Sequence, residues 1–246
     1  MGIVNISLKG KVALITGGSR GIGEAIAMAF AEQGADVAIS ARKLPDLETV
    51  AKAIEAKGRR SLPVASHIGK PEEIKSLVEQ VKAKFGRIDI LVNNAGTNPY
   101  NGPLLDAEEW AWDVTNNVNL KGPFLLSVAV ARLMKEQGGG NIINIASAAG
   151  ISPSSLHIYS ITKAAVIMMT RVMAQEFASL HIRVNAIAPG VVKTRLAEAL
   201  WKNSPDTSRI PVPEDIAGTA VYLASDASKL VNGQTIMVAG GGGFRE

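Results

Sequence analysis

Short apolar runs alternate with amphipathic stretches along the whole chain, and few folds accommodate that pattern. Residues 12–15 form a nearly continuous apolar run, as a strand buried on both faces of a parallel sheet requires. Residues 37–39, 61–65, 88–92, 142–145, 182–187 and 235–238 read as further strands. Between them, apolar residues recur at helical spacing. Ile22, Ile26, Ala29 and Phe30 precede a stop at Gly34, and Leu47, Val50, Ala51 and Ile54 precede one at Gly58. Pro71 opens a third helix through Ile74, Leu77, Val78, Val81 and Phe85, which Gly86 closes. Helical patterns also cover 106–136, 159–179 and 213–224, and the glycines at 138–140 read as a loop. The chain shows no linker or repeat. The expectation is one α/β domain over residues 1–246, a Rossmann-like doubly wound parallel sheet with helices on both faces.

Composition narrows the chemistry. The 246 residues are 47% hydrophobic and 20% charged, enough to bury a full core. There is no cysteine, which excludes disulfides, thiolate metal sites and cysteine nucleophiles and fits a reducing compartment. No apolar run approaches the ~20 residues of a membrane-spanning helix. The first residues lack a signal-peptide pattern, so the cytoplasm is the expected location and no membrane partner is expected. The net charge is +4. Its densest cluster, Lys57, Arg59 and Arg60, reads as a solvated helix end whose cations complement the dipole, without the interleaved aromatics of a nucleic-acid surface. His67, His157 and His181 show no metal-ligand spacing, and no metal is expected.

The chemistry is concentrated in two places. Thr16-Gly17-Gly18-Ser19-Arg20-Gly21-Ile22-Gly23 lies between the first strand and the first helix. Glycines at 17, 21 and 23 permit a tight turn and let backbone approach a pyrophosphate at a helix N-terminus. After the second strand the sequence reads Ser40-Ala41-Arg42-Lys43, with Ala41 where an acid would bond a ribose 2′-hydroxyl. Arg42 and Arg20 instead suit a 2′-phosphate, so NADP(H) is expected over NAD(H). Far downstream, Tyr159 and Lys163 are four residues apart and share one helix face. A phenol beside an ammonium and a nucleotide points to proton exchange coupled to hydride transfer. An ordinary phenol titrates near 10, and a neighbouring lysine is expected to lower it towards neutrality.

Several further motifs follow in order: Asn93-Asn94-Ala95-Gly96, Asn119-Leu120-Lys121-Gly122, Ser147, Tyr159 with Lys163, and Pro189-Gly190 with Thr194. Together with the glycine turn, this series resembles the short-chain dehydrogenase/reductase family, in its single-domain branch of roughly 250 residues, nearly end to end. Asn98-Pro99-Tyr100 and Leu200-Trp201 are similar to carbonyl reductases related to dehydrogenase/reductase member four. The resemblance implies a catalytic set of Asn119, Ser147, Tyr159 and Lys163. Tyr159 is then the acid in carbonyl reduction and Ser147 bonds the substrate oxygen. Lys163 holds the nicotinamide ribose, and Asn119 holds a water that links Lys163 to solvent. It further implies that the cofactor is lined by Gly17, Ser19, Arg20, Gly21, Ile22, Gly23, Arg42, Ile68, Asn94, Ala95, Gly96, Tyr159, Lys163, Pro189, Gly190, Val192 and Thr194. His67 stands where the family often places an aspartate near the adenine. Bland readings exist for each residue: Ser147 as a helix cap, Asn119 as a buried strut, Tyr159 and Lys163 as ordinary surface residues.

Two departures from the family pattern carry expectations. Ser147 and Tyr159 are twelve positions apart, one fewer than the resemblance implies, which predicts a tighter loop that shifts the serine. The substrate lid, around 191–213, reads as abbreviated, with one short helix ending near Trp201 and Lys202. The leading function is reduction of a small-molecule carbonyl or oxidation of an alcohol. Reduction of 3-oxoacyl groups on a carrier protein and non-catalytic nucleotide sensing are the alternatives. Met168, Met169 and Met173 are expected in the core or at a subunit interface, and the family resemblance implies a homotetramer.

Overall fold

The computed structural model describes residues 5–203 and 207–240; the expectations for the remaining residues, including 204–206 of the expected lid, lie outside it. The elements alternate as β1 (Val12–Thr16), α1 (Gly21–Glu32), β2 (Asp36–Ala41), α2 (Leu44–Ala56), β3 (Ser61–Ala65), α3 (Pro71–Phe85) and β4 (Ile90–Asn93). There follow α4 (Glu109–Asn116), α5 (Gly122–Glu136), β5 (Gly140–Ile145), α6 (His157–Glu176), β6 (Ile182–Pro189), α7 (Glu198–Trp201), α8 (Pro213–Ala224) and β7 (Thr235–Val238). The strands form one seven-stranded sheet in the order β3-β2-β1-β4-β5-β6-β7, and every pairing is parallel. The strand order reverses between β1 and β4, which is where such sheets open a crevice for ligand.

Helices cover both faces. One buried cluster packs α1, α2 and α8 on the sheet through Ile26, Phe30, Leu47, Ile54 and Ile216. The other packs α3, α5 and α6 through Leu77, Val81, Leu126, Val130 and Met173. A buried polar chain locks α5 and α6 to the central strands. Asn93 donates to Ser127 Oγ and Asn144 Oδ1, both at 2.8 Å, and Asn144 donates to Thr170 Oγ1 at 2.9 Å. Such a network specifies one arrangement of the helices beneath the site, although Asn93 Oδ1 is left without a partner among the described residues.

Two local expectations change. The fourth strand begins at Ile90 because the Ile88 backbone pairs with the Gln137 side chain, at 3.1 Å through its N–H and 3.0 Å through its carbonyl. The basic cluster at 57–60 does not act chiefly on the helix end. Arg59 and Arg60 converge on Asp36 at 2.5 and 2.7 Å, while Lys57 pairs with Glu32 at 2.8 Å. Burial pushes the Asp36 carboxyl up, but the Arg60 and Arg59 bonds together hold it below its ordinary value. These arginines therefore tie β2 to the start of β3.

Candidate active site

The glycine turn between β1 and α1 is held from behind by Asn94. Asn94 Nδ2 donates to the carbonyls of Thr16 at 2.9 Å and Gly17 at 3.2 Å, while Thr16 Oγ1 accepts from the N–H groups of Asn94 and Ala95, both at 3.1 Å. Gly17 has φ +66° and Gly21 φ +59°, conformations that favour glycine. A Cβ on Gly23 would overlap the Gly17 carbonyl and the Asn94 amide. Gly23 thus serves close packing and stands behind the cleft, and Asn94 is a buttress as well as a wall. Among the described residues no side chain caps α1, whose first N–H groups open at the turn.

In front of this turn lies a cleft of about 860 Å³, the size of a cofactor pocket. It is lined by Gly17, Ser19, Arg20, Gly21, Ile22, Arg42, Ile68, Asn94, Ala95, Gly96, Ser147, Tyr159, Lys163, Pro189, Gly190, Val192 and Thr194. Nearly every residue expected from the sequence therefore meets at one place, across the carboxyl ends of the strands. Asn119 and Gly23 are the expected residues outside the lining, one layer behind it. Lys43, Lys193 and Arg195 line it too, unanticipated. Lys43 stood next to Arg42 in the sequence and extends the same basic edge. Uncapped helix N–H groups, arginines at one end and a phenol with an ammonium at the other match the charge distribution of a nicotinamide dinucleotide.

Lys163 is 4% exposed on α6, and its Nζ donates to the Ile145 carbonyl at 2.7 Å. Burial pushes it down to about 8. The ammonium sits over the Tyr159 ring, 5.5 Å from its centroid. Tyr159 itself is half-buried, and its phenol lies near the Ser147 hydroxyl. Burial raises the phenol above its ordinary value, and the neighbouring Ser147 hydroxyl pulls it only partly back. The expected lowering by Lys163 is not what these residues produce, because removal of water from the phenolate outweighs the other influences. The chain on its own holds a protonated phenol.

The shorter loop does not shift Ser147 out of reach. After β5 the chain turns at Ala148–Gly150, and Ser147 Oγ accepts from the Ala149 N–H at 3.2 Å. Gly150 lies against the Lys163 backbone, where a Cβ would come within 2.6 Å. Ser147 both caps the turn and meets the phenol.

Asn119 lies in a π turn, Asn117–Lys121, inserted between α4 and α5. Pro123, four residues on, has no N–H for the Asn119 carbonyl, which helps open the helix there. The side chain accepts from Thr97 N–H at 2.8 Å and donates to Thr97 O at 2.9 Å and Thr162 Oγ1 at 3.2 Å. It is a buried strut, 1% exposed. A Cβ on Gly96 would lie 3.6 Å from Asn119 Oδ1 and 3.7 Å from Lys163 Nζ, so the two groups converge on the Gly96 backbone. After β6, Trp201 Nε1 donates to the Thr194 carbonyl at 3.1 Å, tying short α7 to the loop that lines the cleft. Among the described residues, no cluster of histidines and carboxylates could hold a metal, and no helix is long and apolar enough to cross a membrane.

A parallel sheet carrying a glycine turn at its switch point, with Tyr159, Lys163 and Ser147 beside it, defines a nicotinamide-dependent oxidoreductase. The chain belongs to the short-chain dehydrogenase family, whose sequence profile matches residues 11–205. It is 37% identical over 244 residues to the rabbit (Oryctolagus cuniculus) dehydrogenase/reductase SDR family member 4, covering 95% of this chain and 94% of that protein. It is 40% identical over 243 residues to the 3-oxoacyl-[acyl-carrier-protein] reductase of Thermotoga maritima, covering 95% and 98%. A solved 7α-hydroxysteroid dehydrogenase, complexed with NADH and 7-oxo glycochenodeoxycholic acid, superposes with a TM-score of 0.91 at 34% identity, covering 98% of this chain and 97% of that one.

Proposed function

We propose that the protein, acting as a single catalytic domain, reduces a small-molecule ketone or aldehyde with NADPH. The observation that carries this reading is the grouping of buried Lys163 with Tyr159 and Ser147, set in the same cleft as the basic edge Arg20, Arg42 and Lys43. The bound cofactor supplies the hydride. Tyr159, protonated at neutral pH, donates its proton to the carbonyl oxygen as negative charge develops there. Ser147 donates a hydrogen bond to the same oxygen, and a fixed donor of this kind is worth most where water is excluded. Lys163 holds the ribose hydroxyls and returns a proton towards Tyr159. Because the Asn119 side chain is engaged by Thr97 and Thr162, its main-chain carbonyl is the group left to hold a relay water.

For the cofactor choice, Arg42→Ala is expected to weaken NADPH binding by about tenfold or more and NADH binding by less than about twofold, since loss of a charge-assisted pair costs about 1.5–3 kcal/mol. Equal losses in a binding titration would remove the 2′-phosphate assignment. The sequence similarity to a 3-oxoacyl-carrier reductase and the cationic lip at Lys193 and Arg195 favour a second reading, an acyl thioester on an acidic carrier. Turnover of simple ketones against a 3-oxoacyl thioester separates the two.

A second hollow, about 930 Å³, runs along the outer faces of α5 and α6 between Phe124, Met168 and Val172, and Lys121, Arg132, Lys135 and Glu176 also line it. Phe124 and Met168 are about half exposed, and Met169 and Met173 sit beneath them. This face suits a second copy of the chain, its basic and acidic lining residues crossing, within a homotetramer. In sedimentation analysis Phe124→Asp is expected to give a smaller species than the wild type; unchanged size would place the interface elsewhere.

A further inference from the structure

The topology fixes which end of a dinucleotide lies where. The pyrophosphate turn follows β1, in the middle of the sheet, and Ser147 and Tyr159 follow β5 on one side of it. The nucleoside that does not react must extend the other way, past Arg42 at the end of β2 to the end of β3. There the cleft is lined by Ser66, His67 and Ile68, with Val118 opposite. Ile68 is buried, and Val118 Cγ2 would lie 3.5 Å from a Cβ on Gly69, so the subsite has apolar walls suited to a flat base.

His67 supplies its polarity. The Gly69 N–H donates to His67 Nδ1 at 3.1 Å. A peptide N–H can only donate, so Nδ1 is unprotonated and the ring proton is on Nε2. Ser66 Oγ is directed to the Glu73 carbonyl instead. The backbone that carries the ring is firmly placed. The His67 backbone N–H donates to Glu73 Oε2 at 2.6 Å, and Glu73 is itself paired with Lys70 at 2.9 Å. On the other side, the Ile68 carbonyl packs against Gly122 so closely that a Cβ there would overlap it. The turn after β3 is therefore wedged between α3 and the start of α5.

We infer that His67 presents an N–H donor, not an acceptor, to the base of the dinucleotide, so that the enzyme does not select the 6-amino group of adenine. The inference rests on the dinucleotide reading above. A carboxylate at this place would accept from a 6-amino group and reject a 6-oxo group. The ring Nε2–H cannot accept from the amine and instead donates to a purine ring nitrogen or to a 6-oxo oxygen.

The test is equilibrium binding, read by quenching of protein fluorescence, of NADPH, NADH and the 6-oxopurine analogue of each. For whichever cofactor binds more tightly, the 6-oxo analogue is expected within about threefold of the parent. His67→Asp is expected to move that ratio about tenfold in favour of the 6-amino form. Because the readout is a ratio on one protein, a general weakening by the new carboxylate cancels. A wild-type preference of tenfold or more for the 6-amino form, or a ratio unmoved by His67→Asp, overturns the inference while leaving the cofactor reading standing. Binding of none of the four overturns both.

Discussion

Tyr159→Phe is expected to lower carbonyl reduction by about 10²–10⁴-fold, the range for loss of a positioned general acid, while cofactor binding changes by less than about threefold. The phenol hydroxyl meets Ser147 at the reacting end of the cleft, and the ring beneath Lys163 is retained by phenylalanine. Packing and charge placement therefore survive, and the proton does not. Steady-state rates and a dinucleotide titration on the same protein separate the two quantities. Turnover within tenfold of the wild type would mean that the proton comes from water or from another group.

Lys163→Met is expected to abolish turnover and to make the protein more stable at neutral pH. Burial pushes Lys163 down to about 8 from an ordinary 10.5. Between those values the unfolded chain binds more protons than the folded one, so stability rises with pH across that window and the full cost is present below about 8. The gap corresponds to about 3 kcal/mol withheld at neutral pH, of which about 1 kcal/mol is offset by the hydrogen bond to the Ile145 carbonyl. Methionine removes both, and a net gain of about 2 kcal/mol raises Tm by about 4–8 °C. The wild-type rise in stability from pH 8 to 10 should flatten in the variant. A fall in Tm at pH 7 would show that the Ile145 bond outweighs the cost of the buried charge. The same ionisation shapes the wild-type activity, with kcat/KM for reduction declining as pH rises through about 8 and Lys163 loses its charge.

Much of this arrangement was legible in the sequence because it follows from short-range rules. Both-face burial makes each strand an apolar run, and the order of runs and helices admits little besides a doubly wound sheet. Glycine at 17, 21 and 23 and lysine four residues after Tyr159 are local patterns with local causes. What the sequence concealed depends on long-range contacts. Gln137 takes the Ile88 backbone from 49 residues away and delays β4. Asp36 draws Arg59 and Arg60 off the helix end. The π turn at Asn119 lies within an otherwise unbroken helical pattern, where Pro123 was the one visible warning. The Tyr159 phenol was expected to fall because its nearest cation is plain in the sequence, but the extent of its burial is not. Likewise, spacing alone could not show that the loop after Ser147 would tighten onto Lys163 through Gly150.

The central claim, hydride transfer to a carbonyl carbon with Tyr159 supplying the proton, is tested most directly by isotope transfer. Wild-type protein would be incubated with reduced cofactor deuterated at the hydride position and a set of ketones, diketones and a 3-oxoacyl thioester, and the products examined by mass spectrometry. The account predicts one deuterium on the carbinol carbon of at least one product, more from NADPH than from NADH, and almost none with Tyr159→Phe. A cofactor that binds tightly yet passes no deuterium to any carbonyl, or equal transfer by wild type and Tyr159→Phe, would contradict it.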